Sequence, residues 1–325
     1  MLKKLFIIGN GFDLHFNLPT KVSDFKNYLS SQSLYLNNNA KDLYESYGVN
    51  WSDFENSLAN ISIDYIYKDN ARGPDYLSEH EYDRDSGITD MKNLTDQLLN
   101  ARDQALYEMI KKAERKIRSI ESSYDKIIFD NSAIISFNYT STLESLFTLH
   151  QSQICHIHGD FQNQSQLIFG YKNKEHSLLT TNTFLNIERE KEIKKVKNDR
   201  CLSCDEIKSK IEEINSLYEY EYDDYYLDQQ KEIVNSFYEL NKKVFQYEKL
   251  KLFLNRYVDH SIDEVVVLGH SMSDVDSEYM EIIEKLIKPN RWVISQFKES
   301  PSDRDLQIYS FYERISFCNM EQYLH

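Results

Sequence analysis

An unbroken apolar run, Leu5-Phe6-Ile7-Ile8, gives way at once to Gly9-Asn10-Gly11. A short segment that is apolar at every position needs cover on both faces, which is the situation of a buried strand in a mainly parallel sheet. The glycines then predict a tight turn into a helix. The pattern repeats along the chain. Ala133-Ile134-Ile135-Ser136-Phe137 stands within the stretch Ile127 to Phe137. Ile154 to Ile157, Leu167 to Tyr171, Val265 to Leu268 and Trp292 to Phe297 are further strand candidates. Several end in Gly, Asn or His. Small or polar residues at the carboxyl ends of buried strands are expected in an open α/β sheet, where ligands bind at those ends.

Only 8 glycines and 4 prolines punctuate 325 residues, which favours long helices between the strands. Leu98, Leu99, Ala105, Leu106, Met109, Ile110, Ala113, Ile117 and Ile120 keep helical spacing over Leu94 to Tyr124. Asn186 to Tyr257 reads as two or three more helices. Asn70 to Asp90 reads as a polar loop, and the Tyr/acid-rich stretch Tyr218 to Asp228 as a loop or helix junction. The fold class is therefore α/β, Rossmann-like, with a mainly parallel sheet. It forms one domain over residues 1–325, with large helical insertions at about 21–125 and 180–260.

Charge and cysteine usage narrow the function classes. A formal net charge of -15 opposes general nucleic-acid binding, while a local site can still take a nucleotide. Four cysteines are too few for a disulfide scaffold, and Cys201-x-x-Cys204 lacks a second pair for zinc. No secretory leader and no apolar stretch of membrane-spanning length is read, so the expectation is a cytoplasmic protein without membrane association.

Four constellations carry candidate chemistry. Gly9 and Gly11 are expected to free the backbone for positive φ and close approach to a diphosphate, with the next helix presenting its N–H groups. Asp13, two residues on, reads as a helix cap or a ribose contact. Asn138 ends the Ala133 to Phe137 strand, where its amide can hold a ribose hydroxyl or a water. In His156-Ile157-His158-Gly159, alternation puts both histidines on one face, and His158 is the candidate general base. No metal is expected, because no Cys or Glu completes the pair. Gly269-His270-Ser271-Met272-Ser273-Asp274-Val275-Asp276 repeats the strand-glycine-turn arrangement, with Ser271 and Asp274 as ligand contacts. Trp51 to Glu55 reads as a helix start.

Taken together, Ile8 to Leu14 with Leu18-Pro19-Thr20, Trp51 to Glu55, Phe137 to Thr140, His156 to Gly159, and Gly269 to Ser271 with Asp274 resemble the bacteriophage abortive-infection AbiH family over essentially the whole chain. The same skeleton is similar to the sirtuin-like NAD-binding superfamily. Its Gly-x-Gly, Ile-Pro, Asn, His-Gly and late Gly-x-Ser motifs correspond to Gly9-Asn10-Gly11, Leu18-Pro19, Asn138, His158-Gly159 and Gly269-His270-Ser271. The resemblance implies an NAD pocket lined by Gly9, Asn10, Gly11, Phe12, Asp13, Gly159, Gly269, His270, Ser271 and Asp274. Asn138 and His158 take the catalytic positions.

Asp13 stands where sirtuins carry serine, and their four-cysteine module is absent, so protein deacylation is not the expectation. What the resemblance implies is an antiphage effector that hydrolyses the nicotinamide–ribose bond of NAD. The alternatives are a non-catalytic NAD or ADP-ribose sensor acting through a partner of a defence system, and a nuclease effector. Long tyrosine-bearing helices are compatible with a homo-oligomer.

Overall fold

The alternation of side chains in the strands sets the layers. The computed structural model describes residues 4–32, 34, 39–120, 124, 126–162, 167–171, 176–198, 202–218, 222–242, 244–257, 262–296 and 306–324. Among these residues six strands are found: β1 (Lys4–Ile8), β2 (Ser132–Ser136), β3 (Ile154–His156), β4 (Glu264–Leu268), β5 (Arg291–Gln296) and β6 (Ile315–Asn319). All neighbours are parallel and the order is β3-β2-β1-β4-β5-β6. This is the doubly wound order in which the chain reverses direction of travel between β1 and β4. Ile8 is level with both Ser136 and Leu268, so the carboxyl ends of the three central strands form one rim.

Helices cover both faces of the sheet. Phe6 and Ile8, with Ile134, Val266 and Leu268, pack under α1 (Asn10–His15), the end of α7 (Ser86–Ile117) and α8 (Thr142–Phe147). Leu5 and Ile7, with Ala133, Ile135, Val265 and Val267, pack under α12 (Tyr247–Leu254) and α13 (Ser277–Ile287). A strand buried on both faces accounts for the unbroken apolar runs of the sequence.

The intervening segments build a third core. It holds α2 (Val22–Ser30), α3 (Ala40–Ser46), α4 (Phe54–Leu58) and α5 (Ile63–Asn70). The short α6 (Glu81–Arg84) precedes α7. From the second insertion come α9 (Thr181–Lys197), α10 (Cys204–Leu217) and α11 (Tyr222–Leu240). Leu98, Ala101, Ala105, Leu106, Met109 and Ile110 of α7 meet Val234, Phe237 and Tyr238 of α11 in this core. Arg102 of α7 donates to Asn241 Oδ1 at 2.7 Å, so the two insertions are joined by a buried polar bond as well as by apolar contact.

Several expectations need correction. Leu167 to Tyr171 is not a strand; it makes one isolated bridge, Tyr171 with Lys242. The edge strand β6 has no counterpart in the sequence reading. The stretch read as a polar loop over Asn70 to Asp90 holds α6 and the first residues of α7, and the described residues of Asn186 to Tyr257 fall into four helices, not two or three. The Tyr/acid-rich stretch is a helix junction: α10 ends at Leu217 and α11 begins at Tyr222, with 219–221 outside the described residues. Cys201 and Phe297 also lie outside them. Among the described residues, no helix is long and apolar enough to cross a membrane.

Candidate functional site

The loops leaving β1 and β4 are interlocked. Gly9 N–H donates to Leu268 O at 3.0 Å and Gly11 N–H to Gly269 O at 2.7 Å. A Cβ on Gly9 would lie 2.5 Å from His270 Cα, and one on Gly11 would lie 2.8 Å from Gly269 Cα. The expectation of positive φ at Gly9 and Gly11 is therefore corrected. Gly9 is extended, Gly11 sits in α1, and the residue with positive φ is Gly269 at 67°. The glycines are needed because two backbones touch. The anion-cradle expectation changes with this. Gly11 N–H is engaged by Gly269 and Phe12 N–H by Gly9 O at 2.9 Å.

Above this crossing lies a cleft of about 1010 Å³. Its floor is the rim of the central strands. Phe25 of α2, Phe54 and Glu55 of α4, and Leu106, Met109 and Ile110 of α7 wall it from the insertion side. The structure brings Gly9, Asn10, Gly11, Asp13, Asn138, His158, Gly269, His270, Ser271 and Asp274 to this cleft. It does not bring Phe12, which packs inward against Phe16, Phe129 and Phe147, or Gly159, which turns the chain at φ 89° behind His158.

Asn138 is buried, and its Nδ2 donates to Gly9 O at 3.1 Å. It ties the end of β2 to the β1 loop. Asp13 does not cap α1. Its carboxylate is buried and accepts from Thr140 Oγ1 and Thr142 Oγ1, both at 2.7 Å. Burial pushes its pKa up to about 6, against the lowering effect of the Thr142, Thr140 and Asn138 hydrogen bonds; the Glu114 charge adds to the rise. Glu114 accepts from Ser141 N–H and Oγ, both at 2.7 Å, which pins the same loop to α7.

Asp13 makes stability depend on pH with a defined sign. The pKa in the folded protein, about 6, lies above the ordinary 3.8. Folding therefore favours the protonated acid. That contribution is complete below about pH 4 and is lost as pH rises through 6. Its size is about 3 kcal/mol. Asp13→Asn keeps an acceptor for one threonine and a donor to the other. Urea midpoints followed from pH 4 to 7 should fall for the wild type relative to Asp13→Asn; parallel profiles would contradict the assignment.

The two histidines of the β3 end part company. β3 stops at His156, so alternation does not extend to His158. His156 turns to α8, where Nε2 lies 2.8 Å from Glu144 Oε1 and Nδ1 lies 3.1 Å from Asn138 O. Burial pulls its pKa down, yet the Glu144 hydrogen bond and charge outweigh it and hold the group above its ordinary value. His158 turns to the cleft, edge-on to Phe137 at 5.1 Å.

Two residues absent from the sequence assignment stand out. Asp276 is buried between His158 Nε2 at 3.6 Å and His270 Nε2 at 3.2 Å. Asp274, chosen in the sequence reading, instead accepts from Ser277 Oγ at 3.1 Å at the start of α13. The Asp-x-Asp spacing was visible, but which acid faces inward depends on a 3-10 turn over Asp274–Asp276. The second residue is Thr20. It is 7% exposed, and its Oγ1 lines the cleft without a hydrogen-bond partner. Lys21 and His15 also line the cleft. Among the described residues, no group of three or more His, Cys, Asp or Glu is arranged to hold a metal ion.

Comparison with known proteins adds one finding. A family model described as bacteriophage abortive infection AbiH matches residues 5–296. No curated protein and no solved structure gives a match to the chain. The match covers the sheet from β1 to β5, both insertions and every residue of the cleft apart from Ile308 and Met320. The chain belongs to the bacteriophage abortive infection AbiH family.

Proposed function

We propose that this chain is an abortive-infection effector that binds NAD across the β1/β4 crossing and hydrolyses its nicotinamide–ribose bond. The observation that carries the reading is the position of the cleft. It lies outside the carboxyl ends of the strands at the one place where a 3-2-1-4-5-6 sheet opens a crevice, which is where such sheets bind dinucleotides. Its volume is at the upper end of the range for small-ligand sites. The order of motifs that resembles the sirtuin-like superfamily supports the same ligand.

The cleft's polar groups suit a dinucleotide, with one change from the sequence assignment. With Gly11 N–H and Phe12 N–H engaged, the diphosphate is received by side chains. Thr20 Oγ1 offers an unused donor, Ser271 an exposed hydroxyl and Lys21 a positive charge. At the other end, Asn138 Nδ2 is fixed on Gly9 O and its carbonyl oxygen is left to orient a water or a ribose hydroxyl. In the reaction the C1′–N bond breaks and its electron pair passes to the pyridinium nitrogen, so neutral nicotinamide leaves. Water adds to C1′ of the ribosyl cation and His158 takes its proton. Phe137 and the α7 side chains exclude bulk solvent.

The test is calorimetric titration of purified protein with NAD, together with chromatographic measurement of nicotinamide. Binding with nicotinamide release is the expected result. Binding without release makes the protein a nucleotide sensor, and absence of both removes NAD as its ligand.

A further inference from the structure

We infer that Asp276 is the positioning carboxylate of His158, and that His270 is the clamp that holds Asp276. The inference deepens the reading of His158 as proton acceptor, and its kinetic arm rests on that reading. The hydrogen bonds of His270 define its protonation. Met272 N–H donates to His270 Nδ1 at 2.9 Å, so Nδ1 carries no proton. Neutral His270 then carries its proton on Nε2, which lies 3.2 Å from Asp276 Oδ2 and faces that oxygen. Both ring nitrogens thus face protein groups, which makes His270 a support for Asp276. The remaining oxygen, Asp276 Oδ1, faces His158 Nε2 at 3.6 Å.

The surroundings fix this arrangement. Phe137 stands edge-on to both imidazoles, at 5.1 Å from His158 and 4.5 Å from His270. The titratable groups packed round His158 are Asp276 and His270 from the β4–α13 loop, Tyr279 of α13 and Tyr139 of the β2–α8 loop. Burial raises both tyrosine hydroxyls, so they stay neutral. Glu55 lines the cleft from α4. Asp276→Asn removes one charge from this set while keeping its shape and an acceptor for His270. A buried carboxylate beside a histidine orients the ring and stabilises the imidazolium that forms when it takes a proton.

The experiment follows the imidazole resonances of the full chain by NMR, with His158 assigned by His158→Gln. In the wild type, His270 should show its proton on Nε2; a proton on Nδ1 of the neutral ring overturns the clamp. In Asp276→Asn, the His158 titration midpoint should drop by about one unit or more. An unmoved midpoint in a variant that melts like the wild type overturns the pairing. Nicotinamide release gives the kinetic arm. Asp276→Asn should lose about a hundredfold in kcat with little change in KM, and the acid limb of kcat should move to lower pH. A wild type that releases no nicotinamide removes the hydrolysis reading and leaves the NMR arm to decide this one; an active wild type matched by Asp276→Asn in kcat and pH limb removes this one alone.

Discussion

Gly269→Ala is expected to destabilise the protein by at least about 4 kcal/mol, the size reserved for substitutions that break a specific structural feature. The reason is backbone meeting backbone. A Cβ at Gly269 would sit 2.2 Å from Phe12 N and 2.5 Å from Gly11 C. No side-chain rotation relieves a clash with main-chain atoms. The residue's φ of 67° adds about 1 kcal/mol for any L side chain. Moving the loops apart would break Gly9 N–H to Leu268 O, Gly11 N–H to Gly269 O and Gly269 N–H to Ser295 Oγ. Each is a bond of about 1 kcal/mol at the centre of the sheet's rim. Domains of ordinary stability hold about 5–15 kcal/mol in total, so the variant should be poorly soluble or unfold at much lower urea. Gly73→Ala is the control, because a Cβ there meets nothing within 4 Å. Equal urea midpoints for the two variants would show that the loops can separate at little cost.

The same crossing explains what was legible in the sequence. Strands covered on both faces must be apolar throughout, so β1, β2 and β4 announce themselves, and the residues that end them mark the cleft floor. Runs that are apolar for another reason mislead. Leu167 and Phe169 pack against the helical core and Tyr171 bonds Tyr238 O, so a buried irregular segment reads like a strand. The opposite failure is β6, an edge strand whose Ile-Ser-Phe-Cys-Asn pattern is largely exposed and carries no apolar run. At the site, residue types were readable but orientations were not. His156 and His158 differ because β3 ends between them. Asp274 and Asp276 differ because a 3-10 turn separates them. Thr20 was legible only as part of Leu18-Pro19-Thr20; the unused hydroxyl is a property of packing.

The insertions give the cleft its walls. Phe25, Phe54, Leu106, Met109 and Ile110 face the strand rim from helices that share a core of their own. Closure of an apolar wall over the reacting end serves the proposed chemistry, since a ribosyl cation must meet one held water and not bulk solvent.

On that chemistry, His158→Ala should lower the rate of nicotinamide release about 10²–10⁴-fold, the usual worth of a positioned acid or base. His158 lines the cleft with a buried carboxylate, Asp276, beside its ring to stabilise the imidazolium that forms. Its backbone bond, Ile168 N–H to His158 O at 2.9 Å, does not involve the ring. The loss should therefore appear in kcat with the fold retained. Asn138→Ala should behave differently. It removes one of the two donors to Gly9 O inside the β1–β2 junction, the Phe12 N–H bond remaining, which costs about 0.5–1.5 kcal/mol for the lost hydrogen bond. Its rate loss should come with a lower melting temperature. Rates measured well below both melting temperatures separate the two effects. If His158→Ala releases nicotinamide at the wild-type rate, the proton leaves the attacking water by another route, and Glu55 becomes the next group in the cleft to replace.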